Sequence, residues 1–393
     1  MVIGEFNDSY PPMVDGVGHV TQAYCIGLEK LGHQTYYIAP DDSNETRIDG
    51  LDTVLYGGIP LKGMPYKIGI PPISIDYLRF SSKTKFDIIH SHTPLISGMA
   101  AKKIAKKQEI ALVSTFHSKY RDDFLKTTHS RAFADFITNE IIKFYNICDE
   151  VWVPNESTKE TLKSYGFKGP IIVMPNGTDN YELTDEDYKK SLSGIKIRKN
   201  VPVLLFVGQV DCKKNLEYLI EACRILNEKK TDFELLIAGQ GPDEKLLSGL
   251  CKIYKIENKV HFLGFINDEK ILRSLYKRAD LFILPSLYDT FSLVVREAAS
   301  MKTPSLLIRG SNAAECITDK VNGFLCSNSP ESIAEEIVNA LPSVRSVGEK
   351  AYETIPIPWN TIMKQVEERY IRLCESKGSL KSKKSTVSYL SAK

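Results

Sequence analysis

Two carboxylates surround a predicted strand-to-helix junction within FILPSLYDTFSLVVREA, residues 282–298. The apolar run from Leu281 to Leu284 predicts a buried strand, and a helical pattern starts near Ser292. Asp289 then lies in the turn, and Glu297 lies in the helix. A helix that follows a parallel strand offers unpaired N–H groups to an anion, whereas carboxylates accept hydrogen bonds from hydroxyl groups. The junction therefore indicates that phosphate and sugar are bound side by side, as in a nucleotide sugar.

Length and composition favour two ordinary globular domains. The chain has 393 residues, of which 42% are hydrophobic and 25% charged, and its formal net charge is +2. This balance gives no reason to expect a nucleic-acid partner. The eight cysteines form no Cys-x-x-Cys pair, which indicates reduced thiols. Without an apolar run of about 18–20 residues or a signal peptide, we expect a cytoplasmic protein, or one peripheral to the inner face of the membrane.

Strand and helix patterns alternate twice along the chain. The first series contains strands at 2–6, 35–39, 87–90, 111–116, 150–153 and 171–174, and helices at 20–31, 96–107, 130–147 and 156–164. After an acidic and then basic linker, residues 184–200, the second contains strands at 203–207, 234–238, 260–263, 281–284 and 305–308, and helices at 215–229, 242–254, 268–278, 292–300 and 330–340. Such alternation predicts an α/β fold with parallel sheets.

The two series predict two Rossmann-like domains that face each other across a cleft. We expect an N-terminal acceptor domain at 1–180 and a C-terminal nucleotide-sugar donor domain at 181–358. A crossover helix at 359–375 is expected to pack back towards the first domain, and the basic tail at 376–393 is expected to be flexible.

The order of motifs along the chain resembles the retaining family 4 glycosyltransferases of GT-B fold, over about residues 2–373. The motifs that carry the resemblance are YPPMVDGV (10–17), GLEKLGHQTYYIAP (27–40), DIIHSHTPLISG (87–98), STFHSKY (114–120), CDEVWVPNE (148–156), MPNGTD (174–179), FVGQVDCKKNLEYLIEA (206–222), LLIAGQGPDEKLL (235–247), VHFLGF (260–265), RADLFILPS (278–286), Asp289-x7-Glu297 and VNGFL (321–325). The resemblance implies hexose transfer from a nucleotide sugar with retained anomeric configuration, and neither a bound metal nor another cofactor.

The resemblance also assigns donor-binding residues in the second domain. Lys214 matches the family's diphosphate lysine, and the amides of Ser292, Leu293 and Val294 would hold the diphosphate at the helix start. Glu297 corresponds to the ribose-binding carboxylate, and Asp289 stands where the family usually has a glutamate that contacts the donor sugar. Gln209 occupies the place of the family's arginine, which leaves less positive charge for the leaving group unless Lys213 or Arg296 supplies it.

Each of these residues also has an ordinary structural interpretation. In this interpretation Asp289 caps the helix, Glu297 forms surface ion pairs, and Lys213 and Lys214 form a solvated helix start; the order of the motifs disfavours it more for Glu297 than for Asp289. We expect the base to lie against the backbone near Phe265 and Ile266, and this leaves the choice between uracil and guanine open.

Two positions in the first domain are further candidates. Gly16, in the loop after the first strand, would let the backbone approach the diphosphate, although an ordinary turn explains it nearly as well. His117 matches a family histidine beside the reacting sugar carbon; a lone histidine at a strand end is otherwise more often structural. His90 and His92 face one side of a strand. Because no third metal ligand is evident, we interpret them as structural or acceptor-side.

Acceptor recognition is assigned to the first domain. Lys102, Lys103, Lys106 and Lys107 share a predicted helix with Met99, Ile104 and several alanines. Another basic group, Lys119, Arg121, Lys126 and Arg131, follows His117. Basic helices with an apolar edge bind anionic membrane surfaces, and a solvated helix face accounts for the pattern about equally well.

The leading hypothesis is a transferase that moves glucose from UDP-glucose to a membrane lipid or lipid-linked glycan. The form PPMVDGV, with Asp15 before Gly16, and the segment STFHSKYRDDF are similar to the diacylglycerol glucosyltransferase branch of the family. One alternative is a GDP-mannose or UDP-sugar transferase of capsule or polysaccharide synthesis. Gln209 and Asp289 together also permit a catalytically weak, donor-binding pseudoenzyme, whereas a nucleotide-sugar 2-epimerase of similar architecture lacks support in the motifs.

Overall fold

A computed structural model describes residues 1–10, 16–41, 50–60, 67–179, 181–195 and 197–378. The chain divides into two compact units. The N-terminal unit comprises Met1–Asn176 and Trp359–Lys393, and the C-terminal unit comprises Gly177–Pro358. The predicted Pro11–Asp15 part of the first motif and the tail beyond Gly378 lie outside the described residues.

The N-terminal unit contains a parallel sheet with helices on both faces. Its strands are β1 (Val2–Phe6), β2 (Gln34–Pro40), β3 (Thr53–Tyr56), the antiparallel pair β4 (Gly58–Pro60) and β5 (Lys67–Gly69), β6 (Ile88–Ser91), β7 (Ala111–Thr115), β8 (Glu150–Val153) and β9 (Ile171–Val173). Its helices are α1 (Gly16–Lys30), α2 (Ile75–Lys83), α3 (Ile96–Gln108), α4 (Tyr120–Thr128), α5 (Arg131–Tyr145), α6 (Glu156–Ser164) and the C-terminal helix (Trp359–Lys377). The parallel strands follow the order β3-β2-β1-β6-β7-β8-β9.

The two faces of this sheet differ in chemistry. Phe6, Ile89 and Leu112 point to the face covered by α2, α3 and α5 and belong to its apolar core. Because side chains alternate along a strand, Glu5 and His90 point to the opposite face, covered by α1 and the C-terminal helix. The C-terminal helix therefore packs on the first unit, as predicted.

The C-terminal unit repeats the architecture. It contains α7 (Asp185–Leu192), β10 (Val203–Val207), α8 (Leu216–Glu228), β11 (Glu234–Ala238), α9 (Glu244–Ile253), β12 (Val260–Gly264), α10 (Glu269–Arg278), β13 (Leu281–Leu284), α11 (Leu293–Ser300), β14 (Ser305–Ile308), β15 (Phe324–Cys326), α12 (Pro330–Ala340) and α13 (Val344–Thr354). The C-terminal helix is thus α14. The strand order is β12-β11-β10-β13-β14-β15, and all pairings are parallel. The predicted α/β fold with two Rossmann-like domains is confirmed.

The predicted linker at 184–200 is wrong in its first half. Residues Asp185–Leu192 form α7, whose first turn is capped by the Thr184 hydroxyl. The Asp187 carboxylate lies 2.9 Å from Lys270 Nζ on α10, and Lys277 Nζ lies 5.0 Å from the centre of the Tyr188 ring. Helix α7 has no buried residue, so its sequence lacks the apolar stripe that identifies most helices. Asp187 is therefore an ion-pair partner within a helix and not part of a linker.

Other elements have no counterpart in the predicted series. They are β3, the β4–β5 pair, α2, α4, β15 and α13, which lie between the regular strand and helix repeats. No helix in the described part of the chain combines the length and the apolar character that are needed to cross a membrane.

Candidate active site

An ion pair joins two of the predicted donor-binding residues at one edge of the C-terminal sheet. Lys214 Nζ lies 2.7 Å from Asp289 Oδ1, and both side chains are largely shielded from solvent. The second carboxylate oxygen of Asp289 is buried and accepts no hydrogen bond within the described residues. A buried acceptor without a partner is costly, so this oxygen is suited to a ligand hydroxyl group. The predicted capping role of Asp289 is replaced by the pair with Lys214.

The loop after β10 is held against the loop after β13 by polar contacts. Residues Cys212–Lys214 form a 3₁₀ turn, which the Asp211 carboxylate closes by accepting from the Lys213 amide at 2.7 Å. Asn215 follows in the left-handed conformation, and its side-chain amide donates to Pro285 O and to Asn328 Oδ1. These contacts explain why residues 75 positions apart in the sequence form an ion pair.

The neighbouring loop ends approach closely because glycine permits it. A Cβ atom on Gly239 would lie 1.8 Å from the carbonyl oxygen of Gly208, and the φ of Gly239 is +147°. Gln209 follows Gly208 and is exposed at this edge. The loop that carries Gln209 is therefore fixed by its neighbour, while the side chain itself is open to solvent.

The start of α11 contains a second buried polar atom without a partner. Ser292 adopts φ +58°, unusual for a residue other than glycine, and its buried hydroxyl has no hydrogen-bond partner among the described residues. Helix α11 begins at Leu293, followed by Val294. The first amides of the helix and the Ser292 hydroxyl thus lie together at the positive end of the helix dipole, where an anion is favoured.

Arg296 holds this turn from within the protein. Its Nη1 donates to the carbonyl oxygens of Phe291 at 2.6 Å and Ser292 at 3.2 Å, and its guanidinium lies over the Phe291 ring. Burial lowers the pKa of Arg296 from its usual value. The alternative in which Arg296 supplies the charge that Gln209 lacks is disfavoured, because these contacts direct Nη1 to the backbone. It positions Ser292 instead.

Glu297 is oriented by a buried tyrosine. The Tyr276 hydroxyl on α10 donates to Glu297 Oε2 at 2.9 Å, and Tyr276 is fully buried. Glu297 is partly exposed. The orientation of the Glu297 carboxylate is thus fixed by Tyr276, which disfavours the alternative in which Glu297 merely forms surface ion pairs. Sequence reasoning missed Tyr276 because a tyrosine in an amphipathic helix matches ordinary core packing.

In the N-terminal unit, His117 is part of a buried chain of hydrogen bonds. It follows β7 and is almost completely buried, and its Nε2 lies 3.1 Å from His92 Nδ1. His92 Nε2 lies 3.0 Å from Glu5 Oε2. Burial lowers the pKa of His92 to about 3 and that of His117 well below its usual value, so both rings are neutral.

The expectation that His90 and His92 lack a third ligand-type residue is wrong. Glu5 completes a set whose donor atoms lie within 4.8 Å of one another. Each ring nitrogen already has a protein partner, however: His90 contacts the Tyr370 hydroxyl through Nδ1 and the Thr115 hydroxyl through Nε2. The cluster therefore fits a hydrogen-bonded network, in which the histidines have the predicted structural role.

Two predicted donor contacts have no partner that reveals their role. Gly16 is the first residue of α1, and a Cβ atom there would meet nothing within 4 Å. Ile266 follows β12 and packs partly against the core of the C-terminal unit, beside the exposed Phe265. Both remain predictions.

The apolar edge expected on the basic helix is largely buried. Ile104 and the α3 alanines pack into the core, while Lys103, Lys106 and Lys107 are exposed and Lys102 is partly exposed. Arg121 of the second basic group pairs with Asp135 at 2.7 Å.

Exposed apolar side chains also occur within or just before the N-terminal halves of α2, α3 and α5. Each helix runs antiparallel to the strand beside it, so its N-terminal end lies at the sheet edge where His117 follows β7. These side chains, called the apolar rim below, are Ile73, Ile75, Leu78, Leu95, Met99, Phe133 and Phe136.

Two family models match successive parts of the chain. "Glycosyltransferase Family 4" matches residues 14–180, and "Glycosyl transferases group 1" matches residues 187–352. Among solved structures, the sucrose-phosphate synthase of Thermosynechococcus elongatus superposes with a TM-score of 0.79 at 18% identity, covering 95% of this chain and 99% of that one.

Two curated relatives match along nearly the full length. The alpha-monoglucosyldiacylglycerol synthase of Streptococcus pneumoniae is 26% identical over 94% of this chain and 86% of its own length. The protein of the same name from Acholeplasma laidlawii is 25% identical over 96% of both chains. With two matching domain models and two Rossmann-like units, the chain belongs to glycosyltransferase family 4, the GT-B enzymes that transfer a sugar from a nucleotide sugar.

Proposed function

We propose that this glycosyltransferase moves glucose from UDP-glucose to a membrane lipid acceptor, with retention of configuration and without a metal. The observation that carries the proposal is the full-length similarity to two alpha-monoglucosyldiacylglycerol synthases. Their name specifies both a glucosyl group and a diacylglycerol, which agrees with the branch that the first-domain motifs resemble.

The donor half of the proposal rests on the edge of the C-terminal sheet. The Lys214 ammonium group and the first amides of α11 supply positive charge for a diphosphate leaving group. Glu297, oriented by Tyr276, accepts from the ribose hydroxyls. Asp289 Oδ2 accepts from a hydroxyl group of the hexose. A cationic side chain and backbone amides perform here the charge stabilisation for which other transferases employ a divalent ion.

The acceptor half rests on the apolar rim of the N-terminal unit. Exposed apolar side chains at the edge of the sheet where His117 follows β7 suit the glycerolipid part of an acceptor, while the exposed lysines further along α3 suit anionic headgroups. Rim and lysines together favour a peripheral position on an anionic membrane surface.

A donor and acceptor screen tests the reaction. Purified enzyme is offered UDP-glucose, UDP-galactose, UDP-N-acetylglucosamine or GDP-mannose, with diacylglycerol in mixed micelles or with no acceptor. We expect glucosylated lipid from UDP-glucose, an α-anomeric product by NMR, and full activity in EDTA. Transfer from GDP-mannose alone would favour the polysaccharide alternative, and donor binding without hydrolysis or transfer would favour the pseudoenzyme.

Vesicle sedimentation tests the membrane surface. Replacing Leu95 and Met99 by serine is expected to weaken binding to vesicles containing phosphatidylglycerol at every salt concentration, because apolar contact is lost. Replacing Lys103, Lys106 and Lys107 by glutamine should weaken it mainly at low salt. The matched control replaces Leu246 and Ile253, two exposed apolar residues of α9, by serine. Equal losses in the control and the rim variant would contradict the proposal.

A further inference from the structure

The face of the N-terminal sheet that carries His117 contains more titratable groups than sugar transfer requires. Glu5 has no exposed surface, and it lies on β1 at the centre of the unit. The groups that face it are His90 and His92 from β6 and its end, Tyr24 and Cys25 from α1, and Tyr370 from α14. Arg369, which precedes Tyr370 on α14, is paired with Glu150 instead. Glu5 is therefore surrounded by neutral groups.

Hydrogen bonds connect this carboxyl group to His117 through one intermediate ring. Glu5 Oε2 lies 3.0 Å from His92 Nε2, and His92 Nδ1 lies 3.1 Å from His117 Nε2. The planes of the His92 and His117 rings are nearly parallel, with an interplanar angle of 21°, which suits a hydrogen bond between ring nitrogens. The other Glu5 oxygen accepts from the Tyr370 hydroxyl at 3.1 Å. Glu5 and His117 are 112 positions apart in the sequence, and the contacts that connect them are all buried.

Two proton arrangements satisfy every bond in the chain. When Glu5 is ionised, His92 donates from Nε2 and accepts at Nδ1, so His117 donates from Nε2 as its neutral tautomer. When Glu5 is protonated, Oε2–H donates to His92 Nε2, and His92 Nδ1–H donates to His117 Nε2. The His117 hydrogen is then on Nδ1. The two arrangements differ by one proton, and neither contains a charged imidazole.

We propose that Glu5, His92 and His117 form a proton relay, in which Glu5 is a positioning residue that sets the tautomer of His117. A proton that arrives at His117 Nδ1 displaces the Nε2 hydrogen to His92 Nδ1, and the Nε2 hydrogen of His92 passes to Glu5 Oε2. The net result is uptake of one proton and neutralisation of the carboxylate. The inference rests on the proposed function only in placing His117 beside the reacting sugar.

The relay changes state close to neutral pH. Burial raises the pKa of Glu5 to about 8, and the hydrogen bond from Tyr370 opposes part of that increase. As pH rises through this range, His117 Nδ1 changes from a donor to an acceptor and the network gains a negative charge. Negative charge favours a cationic sugar in the transition state, so kcat should rise about threefold to tenfold with little change in the KM for donor.

Nitrogen-15 NMR of histidine-labelled full-length enzyme observes the tautomers without substrate. From pH 6 to 9 we expect the rings of His92 and His117 to remain neutral while the protonated nitrogen of His117 moves from Nδ1 to Nε2. Glu5→Gln should lock the acidic arrangement, since Tyr370 donates to the amide oxygen and leaves the NH₂ group to donate to His92. Tyr370→Phe should move the midpoint to higher pH. Glu150→Gln, which alters another buried carboxylate of the same sheet, should leave it unchanged.

Activity profiles then connect the relay to transfer. The proposal is supported if kcat no longer rises with pH in Glu5→Gln but still rises in Glu150→Gln. A His117 tautomer that stays constant with pH, or that changes equally in Glu5→Gln, overturns it, as does stoichiometric bound metal that chelators remove together with the NMR change. A normal tautomer change with a flat kcat profile overturns the catalytic link. If no sugar is transferred from any donor, the proposed function is refuted. The NMR result then still tests whether the relay exists.

Discussion

The two units treat their charged groups in opposite ways. At the edge of the C-terminal sheet, Lys214 and Asp289 pair in a partly open position, and Asp289 Oδ2 and the Ser292 hydroxyl have no partner among the described residues. In the N-terminal unit, Glu5 and the histidines are more deeply buried, and they are hydrogen-bonded to one another or to the hydroxyl groups of Thr115 and Tyr370.

The difference matches the two proposed roles, a donor-binding site in the C-terminal unit and a proton relay in the N-terminal unit. A binding site must exchange its internal contacts for contacts with a ligand, so some acceptors are kept without a partner. A relay must remain satisfied in each protonation state, so its groups have to be paired throughout. Variants at the edge of the C-terminal sheet should therefore change donor affinity and turnover. Variants of the N-terminal network should instead change the pH dependence of kcat.

The largest effect is expected from Lys214→Ala. This change removes the ammonium group that we propose faces the leaving diphosphate, and it also leaves Asp289 without its ion-pair partner. We expect kcat to fall by about 10²–10³-fold, the usual cost of one charge-stabilising donor. Steady-state kinetics with UDP-glucose measure the loss, and circular dichroism confirms the fold. Lys213→Ala, the adjacent lysine, is the matched control; an equal loss there would refute the special role of the Lys214–Asp289 pair.

A smaller gain is expected from Gln209→Arg. The side chain is exposed at the end of β10, so a guanidinium group can be accommodated without displacing core residues. A second cation at this edge should raise kcat up to about tenfold if Gln209 is a weakened form of the family's arginine. Complete loss of turnover would instead indicate that the loop is adapted to an uncharged side chain.

Tyr276→Phe should have a milder effect still. It removes one hydrogen bond to a carboxylate, which stabilises by about 1.5–3 kcal/mol, and part of that is recovered when water reaches the partly exposed Glu297. We expect the donor KM to rise about threefold to tenfold with kcat nearly unchanged. Tyr254→Phe, in a partly buried tyrosine that contacts Arg224, is the control. A loss confined to kcat would contradict the assignment of Glu297 to the ribose.

The elements that carry the proposed donor site were largely predictable from local sequence. The strand β13 was predicted with its observed bounds and α11 to within one residue, because an apolar run and a helical period lie next to each other. Lys214, Asp289 and Glu297 followed from their match to ordered family motifs. Their pairing was not predictable, since it depends on how Asn215 and Asn328 fasten one loop to another.

The contacts of the proposed relay could not be predicted from a single sequence. Glu5 lies within the strand VIGEF, where a polar residue between apolar ones suggests an exposed face. Its burial depends on α14, which is more than 350 positions away and covers that face with Tyr370. His92 is likewise 87 positions from Glu5. Sheet order, which brings β1 beside β6, is therefore the missing information.

The pH dependence of stability provides the subtlest test of the comparison. Between pH 4.5 and about 8 folded Glu5 retains a proton that the unfolded chain loses, so raising the pH favours unfolding. The buried histidines have the opposite effect, because their pKa values are lowered and the unfolded chain takes up protons below about 6.5. The N-terminal unit should thus be most stable near pH 7 and lose about 1 kcal/mol between pH 7 and 8.

Urea unfolding followed by tryptophan fluorescence isolates this effect. The chain has two tryptophans, Trp152 and Trp359, and both belong to the N-terminal unit. Glu5→Gln cannot ionise, so its unfolding free energy should be level between pH 7 and 8, whereas that of Glu150→Gln should decline as in the wild type. A decline that persists in Glu5→Gln would show that a group other than Glu5 causes it. The raised pKa of Glu5 would then be refuted, and the contrast with the Lys214–Asp289 pair would no longer hold.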